Sequence, residues 1–242
     1  MEKVHELLGY ERIKIFQNDE MFSFSLDSML LADFIDCKGA KRIIDLGTGN
    51  APIPLYLTLK TNALITGVEI QKDVYDLAVK SVKVNNFDKQ INIINDDLKG
   101  IYKKVGANCF DIVSTNPPYF KYKESSLVNK NDYLTIARHE VMATLDDIVT
   151  EASKLLVDGG KLYMVHRVCR LNDVIKCFEE HNFGIKKIKM IYPKENDEYA
   201  LSFVIEARKN KASDIKVLKP FVVLDENGLY KDEIKDIFNF KK

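Results

Sequence analysis

Residues 41–54 read KRIIDLGTGNAPIP and predict the first unit of the fold. The apolar run at 41–47 is typical of a short buried strand. Gly47 and Gly49 allow the tight turn that follows, because glycine adopts backbone conformations that other residues avoid. The two prolines after the turn fit the start of a helix, where a missing N–H costs little. A strand, a glycine loop and a helix in this order typically open a parallel α/β sheet.

The same alternation of apolar strands and amphipathic helices continues along the chain. Strands are predicted at 63–70, 91–94, 110–115 and 161–166, and helices at 51–60, 71–86, 144–160 and 171–183. Thr144 and Asp147 resemble a capping box at the start of the third of these helices, and Gly159 and Gly160 are predicted to end it. Strands that alternate with helices indicate a parallel sheet with helices on both faces.

Two apolar runs near the end of the chain, 184–193 and 199–208, are separated by the polar segment KENDE and predict an antiparallel pair. We therefore expect an α/β, Rossmann-like fold with a mainly parallel seven-stranded sheet and an antiparallel C-terminal hairpin. We expect the whole chain to form one domain. Its parts are an N-terminal cap segment at 1–40, a core at 41–208 and a C-terminal extension at 209–242 with a strand–turn–helix pattern.

The composition argues against several kinds of protein. With 36 basic and 36 acidic residues the net charge is zero, which argues against a protein that coats nucleic acid by charge alone. The four cysteines and four histidines show neither C-x-x-C nor H-x-x-x-H spacing, so we expect no disulfides and no metal site. The chain lacks a long apolar run and a signal-peptide pattern. We expect a cytoplasmic protein without a membrane segment, as a monomer or weak homodimer.

The glycine loop has two competing interpretations. A dinucleotide fingerprint, G-x-G-x-x-G, would use Gly47 and Gly49 but needs a third glycine where Pro52 stands. The pattern D-x-G-x-G, starting at Asp45, is the loop shape of S-adenosylmethionine-dependent methyltransferases, which bind an amino-acid moiety there rather than a pyrophosphate. We prefer the second interpretation. An ordinary turn without a ligand is the alternative.

Acidic residues follow the next two predicted strands, at the edge where open α/β sheets bind ligands. Glu69 stands 24 residues after Asp45 and is expected to accept hydrogen bonds from ribose hydroxyls. Asp96 or Asp97 is expected to accept from the exocyclic amine of the cofactor, and Asp97 is preferred because it directly precedes an apolar leucine. The other candidate cofactor contacts are Asn50, Ile70, Asn116, Phe24 and Asp27. For the last two, a core aromatic and a helix N-cap are the alternatives.

Residues 111–123, DIVSTNPPYFKYK, place Asn-Pro-Pro-Tyr at the end of the fourth strand. Pro117 forces Asn116 out of the helical conformation, and Pro118 does the same to Pro117. The Asn116 side-chain oxygen and the Pro117 carbonyl are acceptors that can hold the hydrogens of a planar amine, so that its lone pair points at an electrophilic methyl group. Tyr119 offers a face on which a flipped-out base can stack.

Together, DLGTG and NPPY resemble the amino-methyltransferases that act on adenine N6, guanine N2 or glutamine N5. FSFSLDSMLLADF (22–34), IARHE (136–140) and LLVDGGKLYMVHR (155–167) are similar to the bacterial tRNA1(Val) adenine-37-N6-methyltransferase family. The resemblance implies the class I methyltransferase fold, S-adenosyl-L-methionine as cofactor and tRNA as substrate. It assigns the cofactor loop to Asp45, Gly47 and Gly49, ribose binding to Glu69, and catalysis to Asn116, Pro117, Pro118 and Tyr119. Ala51 replaces a third loop glycine of the wider class.

Basic residues after the NPPY motif are candidates for contacts with RNA phosphates. In the polar segment 119–139 these are Lys121, Lys123, Lys130, Arg138 and His139. Arg167 and Arg170 follow the fifth strand and are further candidates. A local pair with Asp173, or helix capping, is the alternative for these two arginines.

Other functions stay open on the sequence. A glutamine-N5 methyltransferase of release factors shares the NPPY motif, although about 40 residues before the first core strand leave little room for that branch's helical N-terminal domain. An RNA-binding module that has lost turnover is a second alternative, against which the intact Asn116 and Tyr119 argue. A nicotinamide-linked oxidoreductase is disfavoured by Pro52.

Overall fold

The computed structural model describes residues 2–18, 26–117, 119 and 143–239. The strands in these ranges are β1 Glu2–Leu7, β2 Tyr10–Asn18, β3 Arg42–Leu46, β4 Leu64–Glu69, β5 Ile91–Asn95, β6 Phe110–Thr115, β7 Leu156–Arg167, β8 Phe183–Lys194, β9 Ser202–Lys209 and β10 Lys216–Leu224. The α-helices are α1 Leu26–Phe34, α2 Pro52–Leu57, α3 Lys72–Val84, α4 Tyr102–Val105, α5 Leu145–Leu155, α6 Leu171–Glu180 and α7 Asp232–Phe238.

The central sheet has the strand order β10-β8-β9-β7-β6-β3-β4-β5. The five strands from β7 to β5 in this order are parallel to their neighbours. Strand β9 is antiparallel to both β7 and β8, which confirms the predicted hairpin. The Rossmann-like α/β fold is therefore confirmed. The described sheet has one strand more than the seven expected, because β10 of the C-terminal extension pairs in parallel with β8.

Helices cover both faces of the sheet, because successive residues of a strand point to opposite faces. Ile43 of β3 packs in the core cluster that contains α1, α2 and α7, whereas the next residue, Ile44, packs against α5 and α6. Ile112 and Val113 of β6 divide between the two clusters in the same way. Strands buried on both faces explain the continuous apolar runs of the sequence.

Helix α5 begins as predicted and ends earlier than predicted. The Asp147 N–H donates to the Thr144 hydroxyl, and the Thr144 N–H donates to the Asp147 carboxylate, which completes the capping box. The expectation that Gly159 and Gly160 end the helix is wrong. Leu156 already has an extended backbone and lies opposite Phe110 of β6. Its apolar side chain is fully buried in the sheet, so the helix ends before the two glycines.

The first and last segments of the chain are both tied to the core. The β1–β2 hairpin contacts α3, where the Phe16 N–H donates to Ser81 Oγ at 2.9 Å. The Gly9 N–H donates to the Phe238 carbonyl at 2.9 Å, which joins the hairpin to α7. That all of this forms one domain stays a prediction.

Two sequence expectations about chemistry can be compared with the fold. All four cysteines, Cys37, Cys109, Cys169 and Cys177, are free thiols, as expected. Within the described ranges, no helix combines the length and the apolar character that crossing a membrane requires.

Candidate active site at the carboxyl ends of the strands

Hydrogen bonds join the ends of β3 and β6 at the carboxyl edge of the sheet. Leu46 lies opposite Thr115 in the parallel register. Ser114 Oγ donates to Asp45 Oδ1 at 2.6 Å, and Thr115 Oγ1 donates to the Leu46 carbonyl at 3.0 Å. Because neighbouring strands lie about 4.8 Å apart, the glycine loop and Asn116 leave the sheet side by side.

The glycine loop presents an open backbone. The N–H groups of Gly47 and Thr48 both donate to the Val68 carbonyl, at 3.0 and 2.9 Å, which fixes the loop against β4. Gly47 and Gly49 have φ angles of +71° and +58°. A Cβ built on either glycine would meet no atom of the described residues within 4 Å. A ligand can therefore approach the backbone here, in a conformation that glycine adopts without strain.

Ala51 occupies the loop position at which the wider class has a third glycine. Its φ is +70°, in the left-handed region, and its side chain is fully buried. A left-handed conformation costs a residue with a Cβ about 1–2 kcal/mol. Helix α2 begins at the next residue, Pro52, so the strained residue sets the direction in which the helix leaves the loop.

Glu69 links the end of β4 to the glycine loop. Its carboxylate accepts from the Gly49 N–H at 3.0 Å and from the Gln71 N–H at 2.8 Å. Burial raises the pKa of Glu69, and these hydrogen bonds oppose the rise. Ile70, predicted to contact the cofactor, follows half-buried. The buried Gln71 Oε1 has no hydrogen-bond partner among the residues described, so this edge offers an unused acceptor.

Asp45 is buried between the two strand ends, with 1% of its surface exposed. Burial raises its pKa from 3.8 to about 7, and the hydrogen bond from Ser114 opposes part of this rise. Burial disfavours the charged form of a carboxyl group, which explains the direction. Asp45 is therefore a carboxyl group that titrates near neutral pH, beside the glycine loop.

Asn50 and Asp97 lie at the same edge, and both already have hydrogen-bond partners. Asn50 Nδ2 donates to a backbone carbonyl of β2 at 2.8 Å. Asp97 accepts from the Lys99 N–H at 2.9 Å. Asp96, the alternative to Asp97, pairs with Lys104, and this hydrogen bond holds the Asp96 pKa below its ordinary value. The preference for Asp97 stays a prediction.

Two consecutive residues of the first turn of α1 hold Asn116 and Tyr119. Asn116 Nδ2 donates to Ser28 Oγ at 2.8 Å. The Tyr119 hydroxyl lies 2.8 Å from Asp27 Oδ2 and 2.7 Å from Asn116 Oδ1, and both oxygens are acceptors for its proton. Pro117 between them is buried. Asp27 therefore contacts the NPPY motif directly, in addition to the cofactor role expected from the sequence.

The Tyr119 ring has a cation on one face. The Arg167 guanidinium lies 4.8 Å from the ring centre, and its Nη1 donates to Ser202 Oγ at 3.4 Å. A base that stacks on this face has to displace Arg167 or stack together with it. Arg167 is half-buried, and its predicted contact with RNA stays a prediction.

His166 packs beside Tyr119, with the ring centres 5.6 Å apart. The side chain is fully buried, and burial together with the charge of Arg170 lowers its pKa to about 3. Its Nδ1 accepts from the Arg167 N–H at 2.8 Å, so the proton of the neutral ring is on Nε2. No described residue accepts from that buried Nε2.

Arg170 is largely inside the protein, with 8% of its surface exposed. Its Nε donates to Asp173 at 2.8 Å, which is the local pair considered from the sequence. Its Nη1 donates to the Tyr119 carbonyl at 3.3 Å. Arg170 therefore supports the backbone of the NPPY motif, and its predicted contact with RNA stays a prediction.

Comparison with known proteins identifies the family. The family profile described as the methyltransferase small domain matches residues 12–182, which is more than half of the chain. The chain belongs to the methyltransferase small domain family. The matched range includes α1, the glycine loop, Glu69 and the NPPY motif, so all the described site residues except Ser202 lie within it.

Curated relatives confirm that the chain resembles the tRNA1(Val) adenine-37-N6-methyltransferase family. The tRNA1(Val) (adenine(37)-N6)-methyltransferase of Tolumonas auensis is 27% identical over 158 residues, which cover 64% of this chain and 64% of the relative. The protein of the same name from Trichodesmium erythraeum is 29% identical over 162 residues, covering 66% of each chain. The chain thus spans slightly less than two thirds of the length of these relatives.

A solved structure confirms the fold. The crystal structure of a predicted O-methyltransferase from Agrobacterium tumefaciens has a TM-score of 0.69 to this methyltransferase small domain chain, with 21% sequence identity. The alignment covers 88% of this chain and 96% of the other. At this identity the likeness establishes the arrangement of helices and strands.

The site predicted from the sequence and the site in the structure overlap in part. The candidates Phe24, Pro118, Lys121, Lys123, Lys130, Arg138 and His139 lie outside the described residues. Ser28, Ser202 and His166 contact or support the NPPY motif and were missed as site residues. Ser28 stands next to the predicted Asp27, and that adjacency was the available signal; Ser202 had no local signal.

A separate cluster of metal-ligating side chains lies on α5 and α6. Asp146, Cys177 and His181 offer ligand atoms within 4.8 Å of one another. Both ring nitrogens of His181 are already engaged, with the Cys177 carbonyl at 2.9 Å and the Thr150 hydroxyl at 2.8 Å. The absence of a metal site stays a prediction.

Proposed function

We propose that this chain is an S-adenosylmethionine-dependent methyltransferase that methylates the exocyclic N6 of an adenine in tRNA, at adenosine 37 of a valine tRNA. The observation that carries the proposal is the register of β3 and β6, which brings the glycine loop beside Asn116. Family membership supports methyl transfer. The names of the curated relatives support the adenine, its position and the tRNA.

The glycine-loop side fits S-adenosyl-L-methionine. The cofactor supplies an electrophilic methyl group on a positively charged sulfur. The open backbone beside Gly47 and Gly49 admits a ligand, and the unused Gln71 Oε1 offers it an acceptor. Each carboxylate oxygen of Glu69 accepts one backbone N–H, which leaves lone pairs for ribose hydroxyls. Asp45, when ionised, suits a cationic amine.

Asn116 holds the reacting amine. A carboxamide oxygen has two lone pairs, so Oδ1 can accept from the amine even while one lone pair faces Tyr119. The hydrogen bond from Asn116 Nδ2 to Ser28 fixes the orientation of the amide group. With the Pro117 carbonyl as second acceptor, the hydrogens are drawn out of the plane of the base and the nitrogen lone pair is aligned for transfer. Alignment of this kind lowers the barrier because the entropy of orienting the reactants is lost on binding, before the chemical step.

Tyr119 and the basic residues near it bind the RNA. The base stacks on the Tyr119 ring, with Arg167 moving from that face or stacking with the base. The lysines predicted for RNA contact follow the NPPY motif in the sequence and bind phosphates. We further propose that the chain folds as one domain and acts in the cytoplasm as a monomer or weak homodimer.

The test is transfer of a labelled methyl group. The protein is incubated with labelled S-adenosylmethionine and, in separate reactions, with unmodified tRNA, ribosomal RNA, DNA and a release factor. Label in tRNA alone is the expected result. Label in the release factor as methyl-glutamine contradicts the RNA substrate, and label in none of the four substrates favours an RNA-binding module without turnover.

Binding of S-adenosylhomocysteine, measured by calorimetry, provides a test of the cofactor that needs no substrate. Binding to the wild-type protein that weakens about a hundredfold in Glu69→Ala supports the cofactor site. A wild-type protein that binds no S-adenosylhomocysteine contradicts the proposal.

A further inference from the structure

The Tyr119 hydroxyl has more acceptors than protons. It lies 2.8 Å from Asp27 Oδ2 and 2.7 Å from Asn116 Oδ1, and a hydroxyl group donates one proton. A bond to Asp27 and a bond to Asn116 are therefore alternatives. Which one forms decides whether Tyr119 occupies a lone pair of the Asn116 oxygen.

Asp27 is held in place as an acceptor. It lies in the first turn of α1 with 8% of its surface exposed. Its second oxygen, Oδ1, accepts from Ser202 Oγ of β9 at 3.3 Å. The neighbouring Ser28 accepts from Asn116 Nδ2, so the same helical turn fixes both polar groups of the NPPY motif.

We propose that Asp27 is a positioning residue for methyl transfer, which accepts the Tyr119 hydroxyl bond so that Tyr119 does not compete with the substrate amine for Asn116 Oδ1. This inference rests on the proposed function. It assigns Asp27 a role through Tyr119 and Asn116, which differs from the direct cofactor contact expected from the sequence.

The chemistry of the two acceptors gives the direction of the exchange. A carboxylate accepts a hydrogen bond more strongly than a neutral amide oxygen. When the amine donates to Asn116, the Tyr119 hydroxyl can donate its proton to the Asp27 carboxylate instead. The hydroxyl therefore keeps a hydrogen-bond partner and avoids the cost of being buried without one. Without the carboxylate, Tyr119 competes with the amine for Asn116. Because a carboxamide oxygen can accept two hydrogen bonds, the competition weakens the bond to the amine without excluding it, so transfer is slowed rather than abolished.

Helix α1 contains a matched control. Near its other end, Asp33 accepts from the Tyr56 hydroxyl at 3.2 Å. Asp33 and Asp27 of α1 thus each accept a hydrogen bond from a tyrosine hydroxyl, but only Asp27 contacts the NPPY motif. Asp33→Asn measures the effect of replacing the carboxylate of such a bond on α1 by a weaker, neutral acceptor, without touching Tyr119.

The experiment is a double-mutant cycle with Asp27→Asn, Tyr119→Phe and the pair of substitutions. Single-turnover transfer to tRNA is measured at saturating cofactor and tRNA, and cofactor affinity is measured by calorimetry. We expect Asp27→Asn to slow transfer about tenfold, a modest misalignment effect, with cofactor affinity within about threefold of wild type. In the Tyr119→Phe background it should have no further effect on the rate, because no hydroxyl competes. Asp33→Asn should leave the rate unchanged.

Two outcomes overturn the proposal. The first is a loss of cofactor affinity on Asp27→Asn that is equal in both backgrounds, since that is the signature of direct cofactor contact. The second is an unchanged rate in Asp27→Asn protein that binds cofactor normally.

A substrate-free measurement separates failure of this inference from failure of the proposed function. Protein containing fluorotyrosine gives a ¹⁹F resonance for Tyr119 that Tyr119→Phe identifies. Asp27→Asn should shift this resonance, whereas Asp33→Asn should shift that of Tyr56. An unmoved Tyr119 resonance contradicts the hydrogen bond even if the protein methylates tRNA. A moved resonance in a protein that labels no RNA supports the bond and contradicts the tRNA substrate.

Discussion

The two sides of the candidate site are held together in different ways. On the glycine-loop side, backbone N–H groups and carboxylates of adjacent strand ends bond to one another, as Gly49 does to Glu69. On the NPPY side, side chains of α1 hold the motif and Ser202 of β9 bonds to one of them, Asp27, which lies 92 positions from Tyr119 in the sequence. The first arrangement follows from the strand order alone, whereas the second requires distant segments to pack correctly.

Because the two sides are held by different contacts, substitutions on one side should not impair the function of the other. A substitution among the backbone-linked residues should change cofactor affinity, and a substitution in the side-chain network should change the rate of transfer.

The largest effect is expected for Asn116→Ala. The substitution removes an acceptor for the amine, and loss of one such hydrogen-bonding group typically costs about 10²–10³ in rate. We expect transfer to fall by that factor, with S-adenosylhomocysteine affinity within about tenfold of wild type because the glycine loop is untouched. Calorimetry and single-turnover rates check the two parts, and Asn92→Ala, an exposed position of β5, is the control. Retained turnover would refute the role of Asn116.

Glu69→Ala should act on the other side. It removes the acceptor of the Gly49 and Gln71 N–H groups and the proposed ribose contact, so cofactor affinity should fall about a hundredfold, as for two lost charged hydrogen bonds. Calorimetry with S-adenosylhomocysteine measures the loss. Glu179→Ala, at an exposed position of α6, is the matched control and should bind normally. Equal S-adenosylhomocysteine affinities of Glu69→Ala and Glu179→Ala would contradict a contact between Glu69 and the cofactor.

Asp45 should make stability depend on pH. Its pKa is raised from 3.8 to about 7 in the folded protein, so between these values the folded state binds more protons than the unfolded chain. The Asp45 contribution to the free energy of unfolding is therefore favourable at low pH and falls as pH rises toward 7, by about 1 kcal/mol per pH unit. Urea denaturation at pH 5, 6, 7 and 8 should show this slope in wild type up to about pH 7, a flatter dependence from pH 7 to 8, and a smaller slope below pH 7 in Asp45→Asn. Identical slopes would contradict the raised pKa.

Ala51→Gly should have the smallest effect. Glycine removes the left-handed strain but gains freedom in the unfolded chain, so the free energy of unfolding should change by between zero and about +1 kcal/mol. Asn86→Gly, at another residue with positive φ after α3, is the matched control. Cofactor affinity should stay unchanged in both. A destabilisation of more than about 1 kcal/mol would show that the buried Ala51 methyl group packs in a way glycine cannot replace.

The parallel strands and the hairpin could be predicted because their signals are local. Continuous apolar runs, glycines and prolines at 47–54 and the capping box at Thr144 each restrict the backbone near themselves. The sequence predicts a strand in the C-terminal extension, but nothing local in this segment, which contains Pro220, indicates that the strand joins the sheet, so β10 is not among the seven expected strands. The structure shifts the register between Leu218 and Phe221 and uses β10 at the sheet edge, where proline is tolerated.

The residues of the candidate site also divide into those with a local sequence signal and those without one. Asp45, Gly47, Glu69 and Asn116 could be named because they follow strands at one edge of the sheet. Ser28 and Ser202 could not, since their contacts with the NPPY network depend on how α1 and β9 pack against the end of β6. Nothing within a few residues of Ser202 indicates that contact.

The most direct test of the proposed function identifies the methylated atom. Unmodified tRNA is incubated with the protein and S-adenosylmethionine, digested to nucleosides and analysed by mass spectrometry against standards. The account predicts N6-methyladenosine, because Asn116 and the Pro117 carbonyl are acceptors for the two hydrogens of an exocyclic amine. Methylation of a ring nitrogen, such as 1-methyladenosine, or of a ribose oxygen would contradict it, because neither group needs that pair of acceptors.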